Sequence, residues 1–301
     1  MRAVASKSCR IEKGAIAGSW LAVLMVLAIL GVLLAYLFWR SLPSWSLALF
    51  FGDTAPLDAM LHGAPVFDGL WPACIGTLAL VALSTGIAVP LGVASGIYLA
   101  EYAGGRSKGL FSFCIDLLAG IPSILVGLFG FALLLLLRKT CAPDANTGLL
   151  LSALCLAVLV LPYLISTTRM SIASLPPEFR LTGASLGLSH SQVVGRILLP
   201  AAMPGIFSGV ILAIGRAAED TAVILLTGAV ANAGTPASLT GNYEALPFHI
   251  YYLAAEHQSP TELSQAFAAA LVLLCLTGLM FGSARLLQTR LEQKWKTGGW
   301  N

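Results

Sequence analysis

The chain has 301 residues, of which 57% are hydrophobic and only 10% charged, and its formal net charge is +3. Soluble domains carry roughly a quarter charged residues and cover their surface with polar groups, so this composition excludes an ordinary soluble fold. The small net charge gives no reason to expect a nucleic-acid partner. Apolar residues also occur in runs close to the ~20 residues that a helix needs to cross hydrocarbon. The sequence therefore predicts an all-α integral membrane protein.

Six apolar runs predict six transmembrane helices. In chain order, they cover residues 15–39, 70–99, 110–137, 149–168, 201–231 and 265–287. The first run is much longer than the 7–15 apolar residues of a signal peptide, so we expect it to remain as a membrane helix. Pro90, Pro122 and Pro162 fall inside the second, third and fourth runs, where neighbouring helices and water can satisfy the freed backbone groups. Two pairs of glycines at helix-contact spacing predict close packing: Gly92 and Gly96, and Gly205 and Gly209.

Lysine and arginine residues give the orientation, because cytoplasmic segments are enriched in them. If the N-terminus lies inside, the inner segments hold 13 of the 17 basic residues. These are Arg2, Lys7, Arg10, Lys13, Arg106, Lys108, Arg169, Arg180, Arg196, Arg285, Arg290, Lys294 and Lys296. We therefore expect a multi-pass protein of the cytoplasmic (inner) membrane with both termini in the cytoplasm.

The chain divides into three predicted parts: an N-terminal tail, first membrane helix and outer loop (1–69), a transmembrane domain with a cytoplasmic loop at 169–200 (70–290), and a cytoplasmic tail (291–301). None of the six cysteines stands in a CxxC pair, which argues against a disulfide framework or a metal site. The sequence contains no GxxxxGK[ST] motif, so we expect this chain to bind no ATP of its own.

Two long connections, 41–69 and 232–264, are predicted to face outward. The second carries aromatic residues that fit either a docking loop or a belt at the membrane interface, and both interpretations remain open. These residues are Tyr243, Phe248, Tyr251 and Tyr252. Its two histidines, His249 and His257, stand eight residues apart on a polar loop and give little reason to expect a metal site.

The connection 169–200 is predicted to form two short helices at a bend on the cytoplasmic side. Two prolines suit the first turn of a helix, and Glu178 after them is favourable at its positive end. Gly187 permits a sharp reversal, and Ser189 is a plausible N-cap for a second helix over 191–199. The result is a shape suited to insertion into a groove of another protein.

This loop resembles the coupling loop of ABC importer permeases, whose pattern is EAA, three residues, Gly, nine residues and then Ile-x-Leu-Pro. The positions that fit are Gly187, Ile197, Leu199 and Pro200, and we expect Pro200 to end the second short helix. The EAA positions fall on Leu181, Thr182 and Gly183, so the acidic residue is missing, and Glu178 lies one turn earlier. A generic connection between helices is the alternative.

The fifth run contains three charged residues, Arg216, Glu219 and Asp220. On a helix, Arg216 would reach the two acids at i+3 and i+4. Charges at mid-bilayer cost at least ~2.5–3.5 kcal/mol each, so these must face protein or a water-filled path. Because an arginine fork can donate two hydrogen bonds to an oxyanion, Arg216 is a candidate substrate-path residue. A structural ion pair that locks helix packing is the alternative.

The same segment resembles the Gly-Arg-Ala-x-Gly-Glu-Thr motif of phosphate permeases. The matching residues are Gly215, Arg216, Ala217 and Thr221, whereas Glu219 replaces Gly and Asp220 replaces Glu. Other local resemblances are Ile97-Tyr-Leu-Ala-Glu-Tyr and Ala245-Leu-Pro-Phe-His-Ile-Tyr, and together they cover most of the chain. We therefore identify the chain as resembling the phosphate-specific, PstA-type family of type I ABC importer permeases.

This resemblance implies a six-helix type I ABC permease fold and a non-catalytic subunit for phosphate transport. It also implies four partners: a second homologous permease, a dimeric ABC ATPase that carries the ATP and magnesium, an extracytoplasmic phosphate-binding protein, and membrane lipid. Permeases for phosphonate, sulfate or molybdate are alternatives within the same class. A secondary anion transporter would keep the intramembrane charges but has no reason for the bent cytoplasmic loop. A membrane enzyme is disfavoured, because no Ser/His pair, HExxH motif or His cluster falls at membrane depth.

Overall fold

The computed structural model describes residues 2–61, 66 and 69–298, and these ranges are helical with no β-strand. The first helices are α1 (Arg2–Ser41), α2 (Leu47–Phe51), α3 (Pro56–Leu61), α4 (Trp71–Ile97), α5 (Gly105–Ala119), α6 (Ser123–Thr140) and α7 (Leu149–Ala173). They are followed by α8 (Glu178–Ser185), α9 (His190–Val193), α10 (Leu199–Glu219), α11 (Ala222–Thr227), α12 (Leu246–Glu256) and α13 (Pro260–Gly298). A 3₁₀ turn at Leu42–Ser44 extends α1, and π-helical turns extend α4 (Tyr98–Tyr102) and join α9 to α10 (Val194–Leu198).

Six stretches of the described chain are long and apolar enough to cross a membrane, which confirms the predicted number. They are Ala15–Ser44, Trp71–Tyr102, Ser123–Thr140, Leu149–Ala173, His190–Glu219 and Pro260–Arg290. The 18 residues of α6 extend over about 27 Å, close to the ~30 Å thickness of the hydrocarbon core.

Helix α7 lies at the centre of the bundle, and α4 packs along one ridge of its surface. A Cβ atom added at Gly92 would lie 2.5 Å from the Cβ of Leu164, and one added at Gly96 would lie 2.5 Å from the Cβ of Thr168. Both distances are too short for any side chain, so the two backbones approach each other only because α4 has glycine there. The prediction that this glycine pair serves helix packing is confirmed.

Helix α10 packs along the adjacent ridge of α7 in the same way. A Cβ at Gly205 would lie 2.8 Å from the Cβ of Ser171, and one at Gly209 would lie 2.8 Å from the Cβ of Thr167. The second predicted glycine pair is therefore also a packing feature. Helices α4 and α10 also contact each other, so α7 forms a common base for two adjacent helices.

The predicted third membrane helix, 110–137, is wrong as a single helix. The chain breaks between α5 and α6, and Pro122 takes the N-cap position of α6 in place of a position inside a helix. Proline cannot donate a backbone hydrogen bond and disfavours the helical conformation of the residue before it, here Ile121. Pro90 and Pro162 do lie inside helices, in α4 and α7, as predicted.

The predicted fifth helix, 201–231, is also wrong in its second half, because α10 stops at Glu219. Asp220 has an extended backbone (φ −76°, ψ 118°). Its Oδ1 accepts a hydrogen bond of 2.9 Å from the backbone N–H of Val223, so it caps the first turn of the next helix from the position just before the N-cap residue, Thr221. The short helix α11 follows and packs against α6 and α7, with a Cβ at Gly127 of α6 calculated at 3.0 Å from the Cα of Val223.

The connection after α11 folds back onto the bundle at the end opposite α8, which we call the α12 end. The backbone N–H of Val230 donates to the carbonyl of Tyr243 at 3.0 Å, and that of Leu246 donates to the hydroxyl of Thr77 in α4 at 2.9 Å. Tyr243 is fully buried in a core formed by α4, α7 and α11. Neither interpretation of the aromatic residues fits this tyrosine, because it is a core residue.

The other aromatic residues of this connection remain near the surface. Phe248 and Tyr252 are half-buried and stack with their ring centroids 6.5 Å apart, while Tyr251 is 52% exposed.

Burial raises the pKa of the Tyr243 phenol well above its ordinary value, so this side chain stays neutral in the folded protein.

Helix α1 touches the remainder of the chain mainly through α13. Tyr36 packs edge-to-face on Phe267 at 5.8 Å between ring centroids, and Arg40 lies 5.5 Å above the same ring. From residue 15 to residue 36 the side chains of α1 are all exposed, with Leu21 at 70%. So large an apolar surface is stable only in contact with lipid or with another membrane subunit.

Candidate functional site

Two regions contain the residues singled out from the sequence: an intramembrane charge site at the end of α10, and the loop that carries α8. The last turns of α10 pack through Ala213, Ala217 and Ala218 against Val81 of α4 and Val160 of α7. Val81 and Val160 lie near the middle of their helices, so the charge site that begins at the neighbouring turn is about midway across the bundle.

Arg216 pairs with Asp220, with 3.8 Å between Nη2 and Oδ2. The two side chains differ in environment, since that of Asp220 is only 3% exposed and that of Arg216 is 42% exposed. The carboxylate is also committed to the cap of α11, as described above. The pair therefore consists of a fixed, buried acid and a guanidinium group with an open side.

Glu219 does not join this pair, which corrects the expectation that Arg216 reaches both acids. Its side chain is exposed, and among the described residues no hydrogen bond or ion pair reaches its carboxylate. Thr221 occupies the N-cap position of α11 and is half-buried. The break at Asp220 separates the predicted charge site into the last turn of one helix and the first turn of the next.

One face of α10 is uncovered by the described part of the chain except at Pro204, whose carbonyl accepts a hydrogen bond of 3.5 Å from Nε2 of Gln288 in α13. Its exposed residues follow helical spacing and end at the charge site: Pro204, Ser208, Leu212 and Glu219, with Arg216 half-exposed among them. The other faces pack against α4, α7 and α13, and at Gly215 an added Cβ would lie 2.5 Å from the Phe281 ring of α13. We call this exposed face the α10 stripe. It is the part of the bundle where a guanidinium group is accessible at membrane depth.

The loop before α10 forms the predicted bend. Helix α8 ends in a Schellman motif, in which the N–H of Leu188 donates to the carbonyl of Gly183 (3.1 Å) and the N–H of Gly187 donates to that of Ala184 (3.0 Å). Gly187 has φ +72°, in the left-handed region that favours glycine. Nothing lies within 4 Å of a Cβ placed there, so the requirement for glycine is one of backbone conformation alone.

Ser189 caps α9, as predicted from the sequence. Its N–H donates to Oε1 of Gln192 at 2.9 Å, and the serine side chain accepts from the backbone of the same residue, which forms a capping box. The prediction that Pro200 ends this helix is wrong, since the helical path continues through Pro200 into α10. The π-helical turn just before it, Val194–Leu198, gives the wider backbone that accommodates a residue without an N–H.

The motif positions of the loop have distinct environments. Gly183 is buried where α8 crosses the next helix, and a Cβ there would lie 2.6 Å from Val193 Cγ2 and 3.1 Å from Ile197 Cδ1. Leu199 and Pro200 are half-buried, and Glu178 is exposed. The outer surface of α8 carries apolar side chains that the described chain leaves exposed, with Phe179, Leu181 and, just past the helix end, Leu186 at 39%, 66% and 71% exposure. The polar residues Glu178, Thr182 and Ser185 are exposed beside them. Leu181 stands where the resemblance predicts an acid.

One feature of the loop was missed by sequence reasoning: an ion pair between Arg180 of α8 and Glu101 at the end of α4. Arg180 Nη2 lies 2.5 Å from Glu101 Oε1, and Nε lies 3.2 Å from the same oxygen. The Glu101 side chain is only 5% exposed. The two residues stand 79 positions apart, so no local pattern connects them.

A metal centre finds no support in the described residues. They contain no cluster of three or more histidine, cysteine, aspartate or glutamate side chains able to hold an ion. His249 lies with Nδ1 4.0 Å from a Glu244 carboxylate oxygen. The cysteines whose side chains are described are free thiols: Cys74, Cys114, Cys141, Cys155 and Cys275.

Comparison with known proteins agrees with the class of membrane protein that the sequence predicts. Residues 88–293 match the family described as binding-protein-dependent transport system inner membrane component. The phosphate transport system permease protein PstA of Pasteurella multocida is 34% identical over 262 residues, which cover 86% of this chain and 88% of that protein. PstA 1 of Mycobacterium tuberculosis is 31% identical over 228 residues, or 74% of this chain and 72% of that protein. Among solved structures, a chain of the inward-facing MetNI methionine ABC transporter superposes with a TM-score of 0.54 at 17% identity, covering 80% of this chain and 98% of that one.

Proposed function

The chain belongs to the family of binding-protein-dependent transport system inner membrane components and has the type I ABC permease fold, and we propose that it is the permease subunit through which an ATP-driven importer moves inorganic phosphate. The similarity to phosphate permeases over 86% of the chain carries this proposal. It extends across both the α8 loop and the charge site of α10, which are the two regions that such a function requires.

Arg216 is the proposed contact for phosphate along the path. Its counter-charge, Asp220, is buried and held by the cap of α11, so the guanidinium group stays in place while its open side faces the α10 stripe. A guanidinium fork matches two oxygens of a tetrahedral oxyanion and keeps its charge at any pH that a cell meets. The pair leaves the empty path nearly neutral. An arriving anion then binds the open side of Arg216 and becomes its second partner.

Glu219 and Thr221 complete the proposed path at the junction of α10 and α11. The exposed carboxylate of Glu219 repels anions, so it lowers occupancy at this point unless a neighbouring subunit supplies a cation. The Thr221 hydroxyl lies at the start of α11 and offers an uncharged hydrogen-bond donor at this junction. Together they make the site a place of passage and not of tight binding.

The exposed apolar surface of α8 is the proposed docking surface for a dimeric ABC ATPase. Leu181 and Leu186 present apolar side chains outward, and Gly187 turns the chain so that α9 returns to the membrane. Because Leu181 replaces the acid of the motif, the contact with the ATPase is apolar at this position. Glu178 at the first turn is the nearest acid.

The distribution of basic residues supports an orientation with the α8 end and both termini in the cytoplasm. The α12 end then faces outward, where an extracytoplasmic phosphate-binding protein delivers the cargo. A second, homologous permease covers the α10 stripe and closes the path. ATP and magnesium bind to the ATPase, and this chain contributes no catalytic residue.

Reconstitution of the complete transporter in proteoliposomes tests the role of Arg216. We expect Arg216→Ala to reduce ATP-dependent uptake of radioactive phosphate about 10-fold or more, since a hydrogen bond to a charged group contributes about 1.5–3 kcal/mol. Arg216→Lys should retain partial uptake, because it keeps the charge but loses the fork. Leu279→Ala, at an exposed position of α13 outside the α10 stripe, is the control and should leave uptake near wild type. Normal uptake by Arg216→Ala in an assembled complex would show that the residue has no part in the path.

A further inference from the structure

Arg180 connects three elements at the α8 end of the bundle. Its Nη2 and Nε atoms donate to the carboxylate of Glu101 at the end of α4. The same guanidinium group donates to the carbonyls of Ile172 and Leu175, at 3.3 Å each, at and just beyond the C-terminus of α7. A single side chain of α8 thus reaches both α4 and α7.

The burial of Glu101 makes this contact specific. Its side chain is only 5% exposed, and burial of a carboxylate is unfavourable unless an opposite charge and hydrogen bonds replace the lost water. Arg180 supplies both with good geometry. If α8 moved without α4, the carboxylate would be left buried and unpaired, so the ion pair opposes separate motion of the two elements.

Helix α8 has a second, different attachment to the membrane helices. Gly183 lies against Val193 and Ile197, which continue directly into α10 through the π-helical turn. The ion pair with α4 and this apolar contact with α10 lie on the same short helix. Because α4 and α10 pack on adjacent ridges of α7, α8 is joined to both neighbours of that central helix.

Both attachments involve π-helical turns: Glu101 lies in Tyr98–Tyr102 and Ile197 lies in Val194–Leu198, directly after Val193 at the end of α9. Such turns interrupt the α-helical ladder and occur often at functional sites. Tyr102 and His190 also meet edge-to-face between these turns, with ring centroids 4.9 Å apart. The two helices that line α7 are therefore irregular at the points where α8 holds them.

We propose that the Glu101–Arg180 ion pair transmits displacement of α8 to α4, so that α4 and α10 move together when an ATPase moves α8. This inference rests on the proposed function, in which α8 is the docking helix. Glu101 and Arg180 are positioning residues, since neither touches the cargo. Without the pair, α8 would lose its ion pair with α4 and would act on that helix only indirectly, through α7 and α10.

Single variants of Glu101 and Arg180, and a double variant that exchanges their charges, test this role in the reconstituted transporter. Glu101→Gln and Arg180→Gln should lower the phosphate transported per ATP about tenfold or more, while ATP hydrolysis itself continues, because one partner of a buried charge pair is lost. Arg180→Lys should be intermediate, and the exchange of Glu101→Arg with Arg180→Glu should recover much of the ratio. Arg106→Gln, an exposed arginine of α5 at the same end, is the control and should leave the ratio unchanged.

Hydrogen exchange gives a readout that does not depend on the cargo. In the wild-type complex, nucleotide binding should change the exchange of backbone amides in both α8 and Tyr98–Tyr102, and in Arg180→Gln it should change α8 only. The proposal would be overturned if both segments of Arg180→Gln responded to nucleotide as they do in the wild type, or if the phosphate-to-ATP ratio of this variant equalled that of the wild type. Absence of phosphate uptake by the wild type would instead refute the proposed cargo, and the exchange result would still decide the role of the pair.

Discussion

Replacement of Gly187 by valine should uncouple ATP hydrolysis from transport, whereas replacement by asparagine should be tolerated much better. The native φ of +72° lies in the left-handed region, which costs a residue with a side chain roughly 1–2 kcal/mol and a β-branched residue more. Asparagine visits this region several times more often than other residues. Since nothing lies within 4 Å of the added Cβ, steric contact contributes nothing to the difference.

The expected size of the effect follows from the turn itself. A penalty of about 1–2 kcal/mol lowers the population of the native bend roughly 5- to 30-fold in a local equilibrium. Helix α8 then presents its apolar surface in the wrong direction for most of the time. The ratio of phosphate transported to ATP hydrolysed, measured in proteoliposomes, should fall by a similar factor for Gly187→Val and by much less for Gly187→Asn.

Two other glycines of the loop serve as controls for this prediction. Gly195, in the π-helical turn Val194–Leu198, also has nothing within 4 Å of its Cβ but does not have a positive φ, so Gly195→Ala should keep the ratio near wild type. Gly183→Ala should disturb packing instead, because the new methyl group would lie 2.6 Å from Val193 Cγ2. Equal ratios for Gly187→Val and Gly187→Asn would refute the argument from backbone conformation.

Three further predictions concern the membrane helices. Gly92→Ala should lower the thermal stability of the purified complex by about 1–3 kcal/mol through overpacking against α7, while Gly86→Ala, which meets nothing within 4 Å, should be neutral in the same denaturation assay. Asp220→Asn keeps an acceptor for the cap of α11 but loses the charge, so it should retain stability and impair uptake, and Asp220→Ala should also lose about 1 kcal/mol of stability. Equal stability of the two variants would argue against the cap. Glu219→Gly removes an exposed acid beside Arg216 and should leave phosphate uptake equal or higher; a clear loss of uptake would assign the acid a required role.

Hydropathy predicted the number of membrane spans because each apolar run must be a helix to satisfy its backbone groups in lipid. It failed to predict where helices break. Pro90 and Pro162 lie in helices that are surrounded by neighbours, whereas Pro122 follows α5, which has no buried residue. Whether a proline interrupts a membrane helix thus depends on packing that the local sequence does not contain.

The break at Asp220 had a signal that sequence reasoning interpreted differently. An aspartate just before an apolar run is a typical N-cap, and Asp220 stands two residues before α11. Its spacing from Arg216 suggested an ion pair on one continuous helix, and this partner is correct at 3.8 Å although the helix ends there. A residue with two plausible local roles can fill both.

Contacts between distant segments were beyond prediction from one sequence. Glu101 and Arg180 are 79 residues apart, and only the packing of α8 below α4 brings them together. Tyr243 looked like a residue of an outer aromatic loop but is fully buried, because the connection folds back onto α4 and α7. In contrast, Gly187 and Ser189 were predicted correctly, since turn and cap chemistry is local.

The energy source and cargo of the wild-type transporter test the central claim most directly. Proteoliposomes that contain this chain with a second permease, the ATPase and the binding protein should accumulate radioactive phosphate when ATP is supplied on the ATPase side. Uptake should persist after ion gradients are collapsed, and an excess of sulfate or molybdate should not compete. Uptake that follows an ion gradient without ATP, or that sulfate or molybdate abolishes, would contradict an ATP-driven phosphate importer.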